Sequence, residues 1–192
     1  MRDLVLAGAL AYIAVLPAAG AMAQAGQRPV SPEAPADAAQ KRLMIEVEIP
    51  APLSEVWNAF STSEGLSTWL APDCTVDLKA GGDWLVHFPG STGGGTIVSF
   101  VPQKEMVLSA LAPDKFPHVK AERTHAVFTF EARGNATVVR LTQTGWKTGA
   151  EWDRAYEYLA AGNAQLLAML HRRFVDGPMD WKKAMAGASD KN

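Results

Sequence analysis

The chain has 192 residues, of which 48% are hydrophobic and 20% charged, with a formal net charge of -2. That suits one domain plus a short extra segment, and it excludes wholesale disorder and a polytopic membrane protein. No basic field is available to hold a phosphate backbone, so nucleic acid is not an expected partner. The single cysteine, Cys74, cannot form an internal disulfide or a cysteine-built zinc site.

The first elements in chain order concern targeting. Leu4 to Leu16 is an uncharged run behind Arg2; Pro17 breaks it, and Ala21-Met22-Ala23 forms a small-x-small site before Gln24. This order predicts a signal peptide over residues 1–23 and a secreted or periplasmic protein. The alternative is an uncleaved anchor, which would add a membrane contact, although the segment is rich in Ala and Gly for a spanning helix. Residues 24–40 carry Pro29, Pro32 and Pro35 among Ala, Gln, Ser and acidic residues, and read as an extended linker. The folded domain is expected over residues 41–176, with a tail over 177–192 in which Trp181 tucks back.

Leu43, Ile45, Val47 and Ile49 alternate with Met44, Glu46 and Glu48, as in a half-buried strand. Pro52 suits the first turn of a helix bearing Val56, Trp57 and Phe60. Ser61-Thr62-Ser63-Glu64 has the form of a capping box for a second short helix ending near Trp69-Leu70. A meander follows, with strands expected at 75–79, 83–88, 96–101 and 105–111, and with Pro89 to Gly95 as a flexible loop. Strands at 124–132 and 136–144 come next, with Ala126, Phe128, Phe130, Val139 and Leu141 inward. One face of such an antiparallel sheet must be covered. The cover is a helix from Glu151 to Phe174, whose stripe runs through Trp152, Tyr156, Leu159, Asn163, Leu166, Leu167, Leu170 and Phe174.

The order of strand, two short helices, antiparallel sheet and long C-terminal helix resembles the helix-grip fold of the START-like (SRPBCC) superfamily, an α+β architecture. More narrowly, the chain resembles the activators of heat shock protein 90 ATPase and their homologues. The residues that carry this are Ile49-Pro50-Ala51-Pro52, Val56-Trp57, Glu64-Gly65-Leu66, Trp69, Gly81-Gly82-Asp83-Trp84, Phe128-Thr129-Phe130, Asn135 to Val139 and the Gly145-Trp146 corner. They span about Arg42 to Phe174. The export signal departs from the namesake co-chaperone, whose partner is cytosolic.

The resemblance implies a cavity between the sheet and the C-terminal helix, lined by Trp57, Trp69, Trp84, Phe128, Phe130, Tyr156, Leu159 and Asn163 and holding a small hydrophobic molecule. Buried tryptophans are more often core than ligand cage, and residues such as Tyr156 and Asn163 more often satisfy buried backbone groups. No cofactor is expected. No metal is expected either: the four histidines, His87, His118, His125 and His171, show no helical ligand spacing. Cys74 reads as a half-buried strand residue rather than a nucleophile. An enzyme of the polyketide cyclase or dehydratase type is the alternative, with His87, Asp83 and Tyr156 as the titratable groups available. A protein-binding chaperone accessory is a third reading.

Overall fold

The computed structural model describes residues 41–88 and 90–184. The segments read as signal peptide and linker, the last residues of the tail and Pro89 lie outside the described residues.

The elements are β1 (Leu43–Ile49), α1 (Leu53–Ser61), α2 (Ser63–Ser67), β2 (Asp73–Val76), β3 (Asp83–Phe88), β4 (Ser91–Val101), β5 (Glu105–Ala110), α3 (Pro117–Glu122), β6 (Thr124–Arg133), β7 (Ala136–Thr144) and α4 (Ala150–Val175). The strands form one seven-stranded sheet in the order β1-β7-β6-β5-β4-β3-β2, antiparallel throughout. From β2 to β7 the sheet is a meander, and β1 joins it beside the last strand. The first two strands are therefore opposite edges, and α1 and α2 carry the chain across the inner face between them. This is the helix-grip architecture expected of the chain.

Alternation sets the inward face where it was expected to. Ala126, Phe128, Phe130, Val139 and Leu141 are all buried. The opposite face is wet and carries ion pairs: Arg140 donates from Nε to Glu46 Oε2 at 2.8 Å, and Arg133 donates to Glu48 Oε2 at 3.0 Å. At the entry to α2, Thr62 Oγ1 accepts a hydrogen bond from the Gly65 amide at 3.0 Å, which caps one of the amides a helix start leaves free. In the tail, Trp181 donates its indole N–H to the Ser67 carbonyl at 2.6 Å, anchoring the chain beyond α4 to the end of α2.

Two expectations fail for physical reasons. The stretch from Ser91 to Gly95 is strand, not a flexible loop. Its glycines permit a close approach that side chains would block. A Cβ on Gly94 would lie 2.1 Å from the Trp84 carbonyl oxygen, and one on Gly95 would lie 2.4 Å from that of Ser109. The second difference is α3, which was not anticipated. Pro117 starts it, and its free amides at His118 and Val119 are met by Glu151 Oε1 at 2.8 and 3.2 Å. The capping group comes from the first turn of α4, far along the chain.

Candidate functional site

The apolar interior is divided into two clusters. The larger joins α1 and α2 to the inner face of the sheet and to Leu167 and Leu170 of α4. The smaller joins Ala112, Phe116, Val119, Trp146, Trp152 and Ala155, at the junction of α3 with the start of α4.

The ring of Phe60 is the hub of the larger cluster. Its centroid lies 5.9 Å from Trp69, 5.1 Å from Trp84, 4.6 Å from Phe128 and 5.4 Å from Phe130. Trp57 meets Phe130 edge-on at 5.2 Å. The indoles also have internal acceptors: Trp69 donates to the Ala59 carbonyl and Trp84 to the Phe60 carbonyl, each at 2.9 Å. These carbonyls end α1, where a helix leaves acceptors without partners. Trp57, Trp69, Trp84, Phe128 and Phe130 are thus brought together, but around one another. The space between Phe60, Trp84 and Phe128 is occupied by their own rings.

The other three expected residues lie on α4 toward the smaller cluster. Tyr156 donates from its hydroxyl to the Arg42 carbonyl at 3.1 Å, and its ring meets that of Trp146. Leu159 is half-buried against the smaller cluster. Asn163 is also half-buried and donates from Nδ2 to Gln143 Oε1 at 2.7 Å. Gln143 in turn donates from Nε2 to Thr124 Oγ1 at 2.7 Å. Gln143 and Thr124 are each 2% exposed.

This chain of three polar side chains crosses from α4 to β7 and β6, in the seam between the two clusters. Beside this chain, apolar residues stay half-buried: Leu159 and Leu166, about one turn either side of Asn163 on α4, and Ala110 on β5, which pairs with Thr124. The helix packs chiefly on β1 and α3, which leaves the inner face of the middle strands to α1 and α2. The seam therefore offers partly exposed apolar walls beside a fixed polar feature. Gln143 was missed from the sequence, although it continues the inward alternation two residues beyond Leu141.

The titratable groups considered for catalysis stand elsewhere. His87 and Asp83 occupy outward positions of β3, alternating with buried Trp84 and Val86, and His87 Nε2 contacts Thr75 Oγ1 at 3.1 Å. Cys74 Sγ lies 3.4 Å from the Ala71 carbonyl. Burial pushes its thiol pKa up, against the opposing influence of its hydrogen bonds with Ser67 and Ala71. Among the described residues no group of three or more His, Cys, Asp or Glu side chains is placed to hold a metal ion, and no helix is long and apolar enough to cross a membrane.

Away from the seam, an open cleft of about 470 Å³ lies between α1, α2 and the end of α4, with Glu55, Asn58, Glu64, Thr68, Arg173 and Phe174 among its walls. Arg173 donates from Nε to Thr68 Oγ1 at 2.9 Å.

Residues 50–174 match the family described as activator of Hsp90 ATPase homolog 1-like protein. No curated protein matches the chain. Among solved structures, the Aha1 dimer from Colwellia psychrerythraea is similar at 20% identity and a TM-score of 0.57, covering 71% of this chain and 98% of that one. A Mesorhizobium loti protein is similar at 18% identity and a TM-score of 0.61, covering 72% and 100%. CalU16 from Micromonospora echinospora is similar at 20% identity and a TM-score of 0.54, covering 73% and 78%.

Proposed function

The chain belongs to the activator of Hsp90 ATPase homolog 1-like family, and from that premise we propose that it is an exported binding module that takes a small hydrophobic molecule into the seam between α4 and the sheet. The observation that carries this reading is the polar chain Asn163–Gln143–Thr124, with half-buried Leu159 and Leu166 about one turn either side of Asn163 and half-buried Ala110 paired with Thr124. Covering apolar surface supplies affinity, at about 25 cal/mol per Å² removed from water before the costs of association. A fixed polar group orients what binds. The packed rings around Phe60 serve as a rigid floor, and Leu159 and Asn163 meet the ligand. Binding is favoured over catalysis because His87 and Asp83 stand on the outer face and the Tyr156 hydroxyl is already engaged. The signal-peptide pattern supports export, and the mass of the secreted form should begin at Gln24.

The test is a thermal-shift screen of apolar metabolites and fatty acids, paired with native mass spectrometry. A ligand at a hundred times its Kd stabilises by about 2.7 kcal/mol, on the order of 5–10 °C in Tm. Leu166→Trp, which fills the seam, should abolish the shift while the protein stays folded. If no compound moves the melt and no adduct mass appears, the seam is not a binding site. A second reading, docking of a protein partner, rests on the cleft lined by Glu55, Glu64 and Arg173. It would then take first place, and charge reversal at Glu55 would test it.

A further inference from the structure

The open cleft between α1, α2 and the end of α4 carries charges of both signs that do not meet. Glu55 on α1 and Glu64 on α2 are exposed and line it, and Arg173 lines it from α4. Among the described residues none of the three belongs to an ion pair. Arg173 is nonetheless fixed at the cleft. Its Nε donates to Thr68 Oγ1 at 2.9 Å and its Cζ lies 5.2 Å from the Phe174 ring centroid, and Thr68 and Phe174 are themselves walls. That bond uses Nε, not the terminal amino groups with which a guanidinium grips a carboxylate end-on.

The walls are held before anything binds. No side chain separates α1 from α2 at Gly65, where a Cβ would lie 2.2 Å from the Asn58 carbonyl oxygen. The Thr68 hydroxyl donates to the Gly65 carbonyl at 2.6 Å, and its own carbonyl accepts from the Met179 amide at 2.8 Å. Fixed walls reduce the ordering that binding must otherwise impose. A volume of about 470 Å³ falls within the span of small-molecule pockets.

A simple anion drawn to Arg173 meets two carboxylates, and a simple cation drawn to those carboxylates meets the guanidinium. A molecule bearing both signs satisfies every charge in the cleft. We propose that the cleft is a ligand site separate from the seam, and that it takes a small zwitterion with one carboxylate and two ammonium groups, such as a diamino acid or a short lysine peptide. The carboxylate meets the terminal amino groups of Arg173, the ammonium groups face Glu55 and Glu64, and the methylenes between them lie against Phe174.

The experiment titrates the isotope-labelled full chain with the dipeptide lysyl-alanine, read by amide NMR. Solvent-exposed ion pairs contribute modestly, so the Kd should be on the order of 1 mM, with shifts centred on the amides of Asn58, Gly65 and Thr68. Amidating the peptide's carboxylate, or acetylating its amines, should each weaken binding about two- to fivefold. Arg173→Gln should bind the free acid and the amide alike. The double variant Glu55→Gln with Glu64→Gln should bind lysyl-alanine no better than its acetylated form. Both glutamates lie in first turns of helices, so that variant should melt slightly lower while staying folded. Leu166→Trp, which fills the seam, should leave the titration unchanged. Absence of shifts at the cleft amides would overturn the inference, as would charge preferences that survive in both variants. Shifts centred on Ala110 and Thr124 would also overturn it, by placing the peptide in the seam. Failure here leaves the seam reading standing, because that reading is tested with apolar probes at other residues.

Discussion

Asn163 and Gln143 join the long helix to the sheet through one amide–amide hydrogen bond of 2.7 Å. Gln143 is the middle member: it accepts from Asn163, donates to Thr124, and its own carbonyl accepts from the Trp146 indole at 3.0 Å. A buried side-chain network holds its geometry only when every member is satisfied.

Gln143→Leu should therefore destabilise the protein. It strips partners from two side chains at once, and each buried group left unsatisfied costs about 1–3 kcal/mol. Asn163→Leu should cost less, since Asn163 is half-buried and solvent can replace its partner. Urea denaturation of the two single variants and the double variant should show coupling of about 0.5–3 kcal/mol. Strict additivity would mean that the bond contributes nothing to stability.

Phe130→Ala should cost about 3–5 kcal/mol, the range for deleting a buried aromatic ring. Phe130 is 4% exposed and packs on both Trp57 and Phe60. Thr129, the next residue, faces outward opposite Arg140. Thr129→Ala should stay within about 0.5 kcal/mol. Similar losses at the two positions, measured by denaturant midpoints, would contradict the observed register.

Periodicity made β1, β6, β7 and α4 legible, because each buries one face and so repeats at two or near 3.6 residues. Local rules failed where the deciding partner is distant. Three consecutive glycines read as a breaker until the approach of Trp84 and Ser109 is known. The short α3 has too few turns to show a period, and its cap is Glu151 of α4. Composition and spacing marked the aromatic residues as inward, but could not say that Phe60 would fill the space among them.

The glycine run gives a graded prediction. Gly93 has nothing within 4 Å of where its Cβ would lie and no left-handed φ, so Gly93→Ala should be tolerated. Gly94 combines a φ of +110° with the contact to Trp84, and Gly95 meets the Ser109 carbonyl. Alanine at either position forces β4 away from a neighbouring strand. Thermal melts should place Gly93→Ala near the wild type and both other variants clearly below it. A uniform effect across the three would mean that close approach is not what selects glycine here.

Cys74 links stability to the compartment the protein is expected to occupy. The thiol is half-buried, and burial raises its pKa above the ordinary thiol value. The neutral form is therefore favoured more in the folded chain than in the unfolded one. The sign follows by linkage: this contribution is fully present below the unfolded pKa and is lost as pH rises through the raised folded one. Stability should thus decline on the alkaline side, and Cys74→Ala should flatten that limb. The same protonated, half-covered thiol should react slowly, because the thiolate is the nucleophile. Alkylation by iodoacetamide should show a midpoint at higher pH in the native protein than in the urea-unfolded chain, and a slower rate at pH 8. A lone cysteine exposed to an oxidising compartment invites intermolecular disulfides, and a raised pKa suppresses that reaction. Native alkylation as fast as in the unfolded chain would show that Cys74 is not protected, and the protein should then form disulfide-linked dimers on exposure to air.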